Sequence, residues 1–521
     1  MQTTNIKALF KRIFSHEYSA ILTLLAVCLL IGVFTVRDYG ETWDEHDVYR
    51  YGDYAIQAYR SILHPATLAR FDTNLNLYGP AYFMLDNKTS GLLQAIFPGW
   101  SAINARHFTN FVLYLVGIWI FYLLIRRWVQ PWAAFGASLL FLLQPLFWGH
   151  AFINPKDMPF LVFFMASVYL GFRMVDTEGT SRVIFFVVLS GVLLGVTSTM
   201  RVVGPLAGFF VLIYGAFKLR ERMFWRAVPY FFLAIAAAYL AWPYLWISPY
   251  ANYMESLQTM KQFPFTGRVL FMGKSILPKN LPWTYFPTLL SLQLTEPAWL
   301  LAIAGLAILL RSIFKKEGRE VFILFLGWFL LPILGVIYLH SILYDNGRQL
   351  YFLLPPLFFL PGVALDLIFK RLTKPLLKMG LLALVVLPGI YASVRLHPYE
   401  YVYYNSIVNG TGGAFRSYEM DYWGTSFTEA ILKVNRVASP DAKILIYGPK
   451  IIARKYARPD LQVFVPQEGD IPQPQYEYAI LLNRHNLDET HCRSGKTVFN
   501  VERKGAVFAT VKFVPPGAPC Q

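Results

Sequence analysis

The feature that most constrains this chain is a succession of apolar stretches, each close to the length at which a helix crosses a lipid bilayer. A crossing helix needs roughly 17–25 mostly apolar residues, and somewhat fewer where aromatic or snorkelling side chains sit at its ends. About eleven segments meet that requirement: 19–36, 108–125, 132–149, 158–175, 183–200, 202–217, 227–248, 297–310, 321–339, 350–369 and 380–394. The segment beginning at Pro297 is the shortest. Composition agrees: 56% of the 521 residues are hydrophobic, 17% aromatic and only 15% charged, outside the range of ordinary soluble domains. The expected fold class is therefore a polytopic α-helical membrane protein. The first stretch is too long for the roughly 7–15-residue core of a cleavable signal, and no small-residue cleavage site follows it.

Orientation follows from the basic residues, because Lys and Arg are held on the cytoplasmic side while acidic residues count for little. If Lys7, Lys11 and Arg12 are cytoplasmic, every second loop should be basic. Those loops carry Arg126 and Arg127; Arg182; Lys218, Arg220, Arg222 and Arg226; Arg311, Lys315, Lys316 and Arg319; and Lys370, Arg371, Lys374 and Lys378. The intervening short loops hold single basic residues such as Lys156 and Arg348. An odd number of spans leaves the C-terminus outside. The alternation also accounts for much of the formal charge of +16. No basic stripe interleaves with exposed aromatics in a soluble module, so nucleic acid is not an expected partner.

Two polar regions are too long to be connectors, the outer loop 37–106 and the tail from 395 onward. In the loop, Tyr49, Tyr51, Tyr54 and Tyr59 mix with charges, the pattern of amphipathic helices lying at the headgroup level. A third outer segment, 249–296, is rich in Pro, Trp and Phe and also reads as interfacial. The tail predicts a helix over 426–437 and strands over 443–447, 462–465, 478–482, 498–501 and 506–513, bounded by Pro, Gly and Asp clusters. The expected organisation is a transmembrane catalytic domain, 1–394, and a small extracytoplasmic α/β domain, 395–521. Cys28 lies in the first span. Cys492 and Cys520 both fall in the exported tail, where either a disulfide or two free thiols fits.

The residues that could carry chemistry sit on the outer side. Asp44 and Glu45 follow the first span beside Trp43, and adjacent carboxylates there could serve as a general base or hold a divalent cation such as Mg or Mn. The alternative is a solvated acidic loop. Lys156 and Asp157 share a tight outer turn fixed by Pro155; the plainer reading is a snorkelling lysine neutralised by its neighbour. Arg106 (beside His107), Arg201 and Arg348 are lone outer arginines. Ionisable groups near membrane depth line cavities or pair with partners, and a planar guanidinium suits a phosphate. Together these residues describe a lipid phosphate held beside a carboxylate base.

At this point the sequence resembles the class C (GT-C) membrane glycosyltransferases of the family 39 type, relatives of the protein O-mannosyltransferases and lipid A aminoarabinose transferases. The likeness rests on the ordered set Trp43-Asp44-Glu45, Asn154-Pro155-Lys156-Asp157, Leu281-Pro282-Trp283-Thr284-Tyr285-Phe286-Pro287 after Gly273, Leu343-Tyr344-Asp345-Asn346-Gly347-Arg348, His397-Pro398-Tyr399-Glu400-Tyr401 and Asp421-Tyr422-Trp423-Gly424. Each motif is short; only their order over nearly the whole chain is specific. The resemblance implies that Asp44 is the catalytic base, that Glu45 supports it or a metal, and that Asp157 is a second acidic residue. It implies that Lys156 and the outer arginines hold the carrier phosphate. Relatives differ in their need for a divalent ion. The implied activity is transfer of a sugar from a polyprenyl-phosphate carrier, within the cytoplasmic membrane, to a glycolipid, lipid A-type or protein hydroxyl on the outer face. A lipid or lipid-linked-sugar flippase is the competing class, and a structural membrane protein with no catalytic carboxylate is a third.

Overall fold

A computed structural model describes residues 18–60, 74–314, 319–466, 476–516 and 520. The basic residues Lys7, Lys11, Arg12, Lys315 and Lys316 lie outside the described residues. Among the described residues, seven helices are long and apolar enough to cross a membrane, or up to nine if each of two bent pairs is one span. One of the seven is a 37-residue run, Pro205–Ala241. It divides at Arg220, whose φ is 52°, into the helices Pro205–Leu219 and Met223–Ala241. A shorter apolar helix covers Ile323–Tyr338.

The bent pairs were not evident as breaks in the sequence. The stretch 132–149 reads as one span, but it is Pro131–Leu142 followed by Pro145–Ile153 at 63°. Pro145 lacks an N–H, and its ring clashes with the preceding turn, so the chain restarts a helix with Pro at its first position. The second break separates Tyr285–Gln293 from Glu296–Ser312 at 114°. Freed backbone groups must be satisfied internally at such depth, and the two breaks partly satisfy each other. The Gln144 amide donates to Thr295 Oγ1 at 2.9 Å and accepts from Thr295 N at 3.0 Å.

Burial separates inner from outer helices. The helix Asp157–Asp176 is the most enclosed of the candidate spans, 78% buried, whereas Ser19–Asp38 and Pro375–Leu396 are 22% buried. Outward side chains such as Phe34, Phe232 and Val394 are largely exposed, as expected of surfaces solvated by lipid. Two helices approach closely through a small-residue stripe: a Cβ at Gly191 would meet Tyr230 O at 2.8 Å, and one at Gly195 would meet Ala234 O at 2.4 Å. That four-residue spacing is the familiar device for bringing helix backbones together in a membrane.

The segment 37–106 holds the helices Glu45–Arg60 and Ala81–Ile96. Tyr49 and Tyr51 face inward, while Tyr54 and Tyr59 are exposed. The 249–296 segment holds the helix Pro249–Lys261 and a small antiparallel hairpin, β1 (Val269–Phe271) with β2 (Lys274–Ile276). In the tail, β3 (Lys443–Tyr447), β4 (Gln462–Phe464), β5 (Tyr478–Leu482), β6 (Lys496–Arg503) and β7 (Ala506–Phe513) form one sheet in the order β4-β3-β5-β7-β6. The pairs β3/β4 and β3/β5 are parallel, and β7 closes the sheet antiparallel to β5 and β6. The helix Ser426–Val437 packs on this sheet through Phe427, Ala430, Ile431 and Val434. Cys492 and Cys520 form a disulfide, so the free-thiol alternative is set aside.

Candidate active site

Five separate segments deliver ionic side chains to one cavity of about 220 Å³, lined by Asp44, Lys156, Arg201, Asp345, Arg348 and Arg484 together with aromatic groups. Each is positioned by local chain chemistry. Asp44 precedes the first residue of the Glu45–Arg60 helix. Lys156 and Asp157 begin the Asp157–Asp176 helix, where Asn154 Oδ1 accepts from both of their backbone N–H groups, at 3.1 and 2.8 Å. Arg201 leaves the end of Thr180–Met200 in extended conformation. Arg348 follows three successive left-handed residues, Asp345, Asn346 and Gly347; Asp, Asn and Gly are the residues that adopt that conformation most readily.

Lys156 Nζ donates to Asp44 Oδ2 at 2.9 Å, and Arg348 Nη2 stands 3.8 Å from the same oxygen. Arg348 Nη1 donates to Asp157 Oδ2 at 2.6 Å, while its Nε and Nη2 donate to Asp345 Oδ2 at 3.0 and 2.9 Å. Arg201 donates to Asp157 Oδ1, and Asn154 Nδ2 donates to Asp157 Oδ2 at 3.0 Å. Arg348 lies 4.2 Å from the ring centroid of Trp423, a cation–π arrangement. The tail residues Tyr422 and Trp423 therefore pack into the helical body, Trp423 on Arg348 and Tyr422 on His150. Trp43 is pinned to the same segment, its N donating to Trp423 O at 3.3 Å and its Nε1 to Tyr422 O at 3.1 Å.

The carboxylate of Asp44 is 31% exposed, whereas Asp157 and Arg348 are almost wholly buried. Desolvation alone would raise the Asp44 pKa. Lys156 and then Arg348 outweigh it and hold the carboxyl below its ordinary value, so Asp44 is ionised at neutral pH.

Five of the residues predicted from sequence are thus brought together: Asp44, Lys156, Asp157, Arg201 and Arg348. Asp157 does not line the cavity; it lies beneath, bridging Arg201 and Arg348. Glu45 and Arg106 are not at the cavity. The Glu45 carboxylate turns away, accepting from Thr42 N at 2.6 Å and Tyr49 OH at 3.3 Å and pairing with His107 Nε2 at 2.8 Å. The Thr42-x-x-Glu45 spacing was the available signal, because a Glu three residues after Thr reaches back to the backbone at a helix start. Arg106 stacks over Tyr49 and lies 4.0 Å from Asp86.

A divalent cation shared by Asp44 and Glu45 does not fit this arrangement, since their carboxylates diverge and Asp44 is already matched by two cations. Among the described residues, no group of three or more His, Cys, Asp or Glu is placed to hold a metal ion. Asp345 and, from the tail, Arg484 are ionic lining residues that were not among the predicted site residues.

The family model for dolichyl-phosphate-mannose-protein mannosyltransferase matches residues 91–246. No curated protein sequence matches. Among solved structures, ArnT from Cupriavidus metallidurans bound to undecaprenyl phosphate is similar with a TM-score of 0.52 at 15% identity, covering 96% of this chain and 99% of that one. The same protein in the apo state gives 0.51 at 14% identity with the same coverage. At this identity the likeness is one of fold, and the chain is accordingly a polytopic membrane protein with the GT-C glycosyltransferase fold.

Proposed function

We propose that this protein is a glycosyltransferase that moves a sugar from a polyprenyl-phosphate carrier to an acceptor hydroxyl at the outer face of the cytoplasmic membrane. The observation that carries the reading is the convergence of one partly exposed, ionised carboxylate and three membrane-domain cations on a single cavity. The fold shared with a protein solved with undecaprenyl phosphate supports the donor class, and the mannosyltransferase family match over residues 91–246 supports the reaction type. In this reading residues 1–394 form the membrane catalytic domain, residues 395–521 the extracytoplasmic domain, and the N-terminus is cytoplasmic.

The reaction is an inverting hexosyl or pentosyl transfer. Asp44 accepts the acceptor hydroxyl's proton as its oxygen bonds to the sugar's anomeric carbon. The bond from that carbon to the phosphate oxygen breaks, and its electron pair leaves with polyprenyl phosphate. Lys156, Arg201 and Arg348 stabilise the charge that develops on the phosphate, as preorganised cations in a site of low dielectric can. Asp157 acts as a positioning residue, holding two of those cations. Arg106 lies outside this constellation, and no step uses a metal ion.

The test incubates purified protein in lipid vesicles with a radiolabelled polyprenyl-phosphate sugar and membrane acceptors. Label appearing in acceptor, with release of polyprenyl phosphate, is the expected result. Movement of intact donor between leaflets without bond cleavage would overturn the reading in favour of a flippase.

A further inference from the structure

The tail sheet presents the carboxyl ends of its parallel strands to the helical body, the edge at which open α/β sheets ordinarily place their binding groups. The connections after β3 and β5 leave that edge. After β3 the chain enters the helix Lys450–Tyr456, where Lys455 Nζ and Tyr456 OH donate to Glu41 Oε2 at 2.6 and 3.0 Å. After β5 it makes a short turn, Asn483–His485, fixed by Asn483 Nδ2 donating to Thr510 Oγ1 at 2.9 Å. Arg484 projects from that turn into the wall of the charged cavity. It lies 5.9 Å from the ring centroid of Trp43 and 5.7 Å from that of Phe265.

We infer that Arg484 is a fourth phosphate-binding cation, contributed by the extracytoplasmic domain and used chiefly for the polyprenyl monophosphate released on transfer. This rests on the reading that the cavity takes a lipid-linked phosphate.

Arg484 Nη2 donates to Asp345 Oδ1 at 2.5 Å and its Nε to Glu419 Oε1 at 2.8 Å. Asp345 thus bridges Arg484 and Arg348. Glu419 stands behind the arginine and does not line the cavity. Counting only lining groups, Lys156, Arg201, Arg348 and Arg484 exceed the carboxylates Asp44 and Asp345 by two. A sugar phosphodiester carries one negative charge, whereas a phosphate monoester carries about 1.5–2 at neutral pH. Removing Arg484 would take one positive charge from the cavity wall, at greater cost to the more highly charged product than to the donor, because Coulomb attraction scales with the ligand's charge. Burial also lifts the Glu419 carboxyl above its ordinary range, although Arg484 pulls it down. Glu419 can therefore relinquish its hold on the arginine by taking up a proton, at less cost than an ordinary carboxylate.

A purely structural tie between tail and membrane domain would use the same two ion pairs, so the test must separate the roles. Binding of a short-chain polyprenyl monophosphate and of its methyl diester is measured by calorimetry on full-length protein in detergent, with thermal unfolding followed in parallel. Arg484→Ala should weaken the monophosphate by about tenfold or more, the scale of one lost charge-assisted contact, and the diester distinctly less. Arg484→Lys should fall between. Glu419→Gln removes the arginine's partner but keeps its charge, and should bind the monophosphate at least as tightly as wild type. Equal weakening by Arg484→Ala and Glu419→Gln, or equal loss for both ligands, would overturn the inference. Should Arg484→Ala not fold, Arg484→Lys against Glu419→Gln decides by the same criterion. Failure of the wild type to bind either ligand would instead sink the transferase reading itself.

Discussion

Asp44 and Glu45 are consecutive, yet they belong to two polar clusters built on opposite terms. On the cavity side, Asp44, Asp157 and Asp345 alternate with Lys156, Arg201, Arg348 and Arg484, so each carboxylate meets at least one cation within 4 Å. Behind it, Glu45 joins His107 and Tyr49, and nearby Asp86 is fully buried with, among the described residues, no hydrogen bond of ordinary distance and angle at either carboxylate oxygen. Its nearest cation, Arg106, stands 4.0 Å away. The first cluster holds charge in an accessible cavity, which suits reaction with a charged ligand. The second encloses its acids away from any cavity, which suits fixing the helix that begins at Glu45. Neighbouring carboxylates at a helix start point in different directions, and here that rotation separates chemistry from support.

The sharpest way to break this comparison is Asp44→Asn. A lost general base should lower kcat by about 10²–10⁴-fold, with little change in thermal unfolding because the carboxylate is partly solvated. Label transfer from the donor, measured beside a melting curve, decides; near-normal kcat would remove Asp44 from the base role. Arg348→Ala should be the most damaging to the fold. It strips Asp157 and Asp345 of a buried partner, a loss of about 3–5 kcal/mol, and should abolish transfer as well. A melting temperature close to wild type would show that the cavity cluster is not the connected unit described here. Glu45→Gln should behave in the opposite sense to Asp44→Asn: stability falls by about 1–3 kcal/mol as the buried pair with His107 weakens, while kcat changes little. If Glu45→Gln instead costs as much activity as Asp44→Asn with an unchanged melting curve, the two clusters are one site.

Much of this was legible in the sequence for physical reasons. Apolar stretches of bilayer length have few other fates, and short strand-like runs bounded by Pro, Gly and Asp clusters put strands at 443–447, 478–482 and 506–513, where β3, β5 and β7 lie. Lys156 was recognisable because a charge on a short turn needs a reason, and Asp44 because it is one of two adjacent carboxylates directly after the first span. The break at Pro145 was marked by the proline, but average hydropathy conceals it, and its partner Thr295 lies 151 residues away. Arg484 could not be read at all. It sits in an ordinary polar turn, and its meaning comes from Asp345 and Glu419, 139 and 65 residues distant. Sequence reveals local cost; it does not reveal which distant group offsets that cost.

The smallest expected effect concerns Asp86, and it tests whether the rear cluster is as poorly compensated as its geometry indicates. Burial raises the Asp86 carboxyl well above its ordinary value, and the opposing pull of Arg106 does not cancel this. The unfolded chain releases the proton near the usual carboxylate pKa of about 3.9, whereas the folded protein retains it to higher pH. Over that window the folded state binds more protons, so stability falls as pH rises. Asp86→Asn should therefore melt with the wild type near pH 4 and increasingly above it as the pH approaches neutrality. A difference that stays flat with pH would mean that Arg106 neutralises Asp86 after all, and the contrast between the two clusters would disappear.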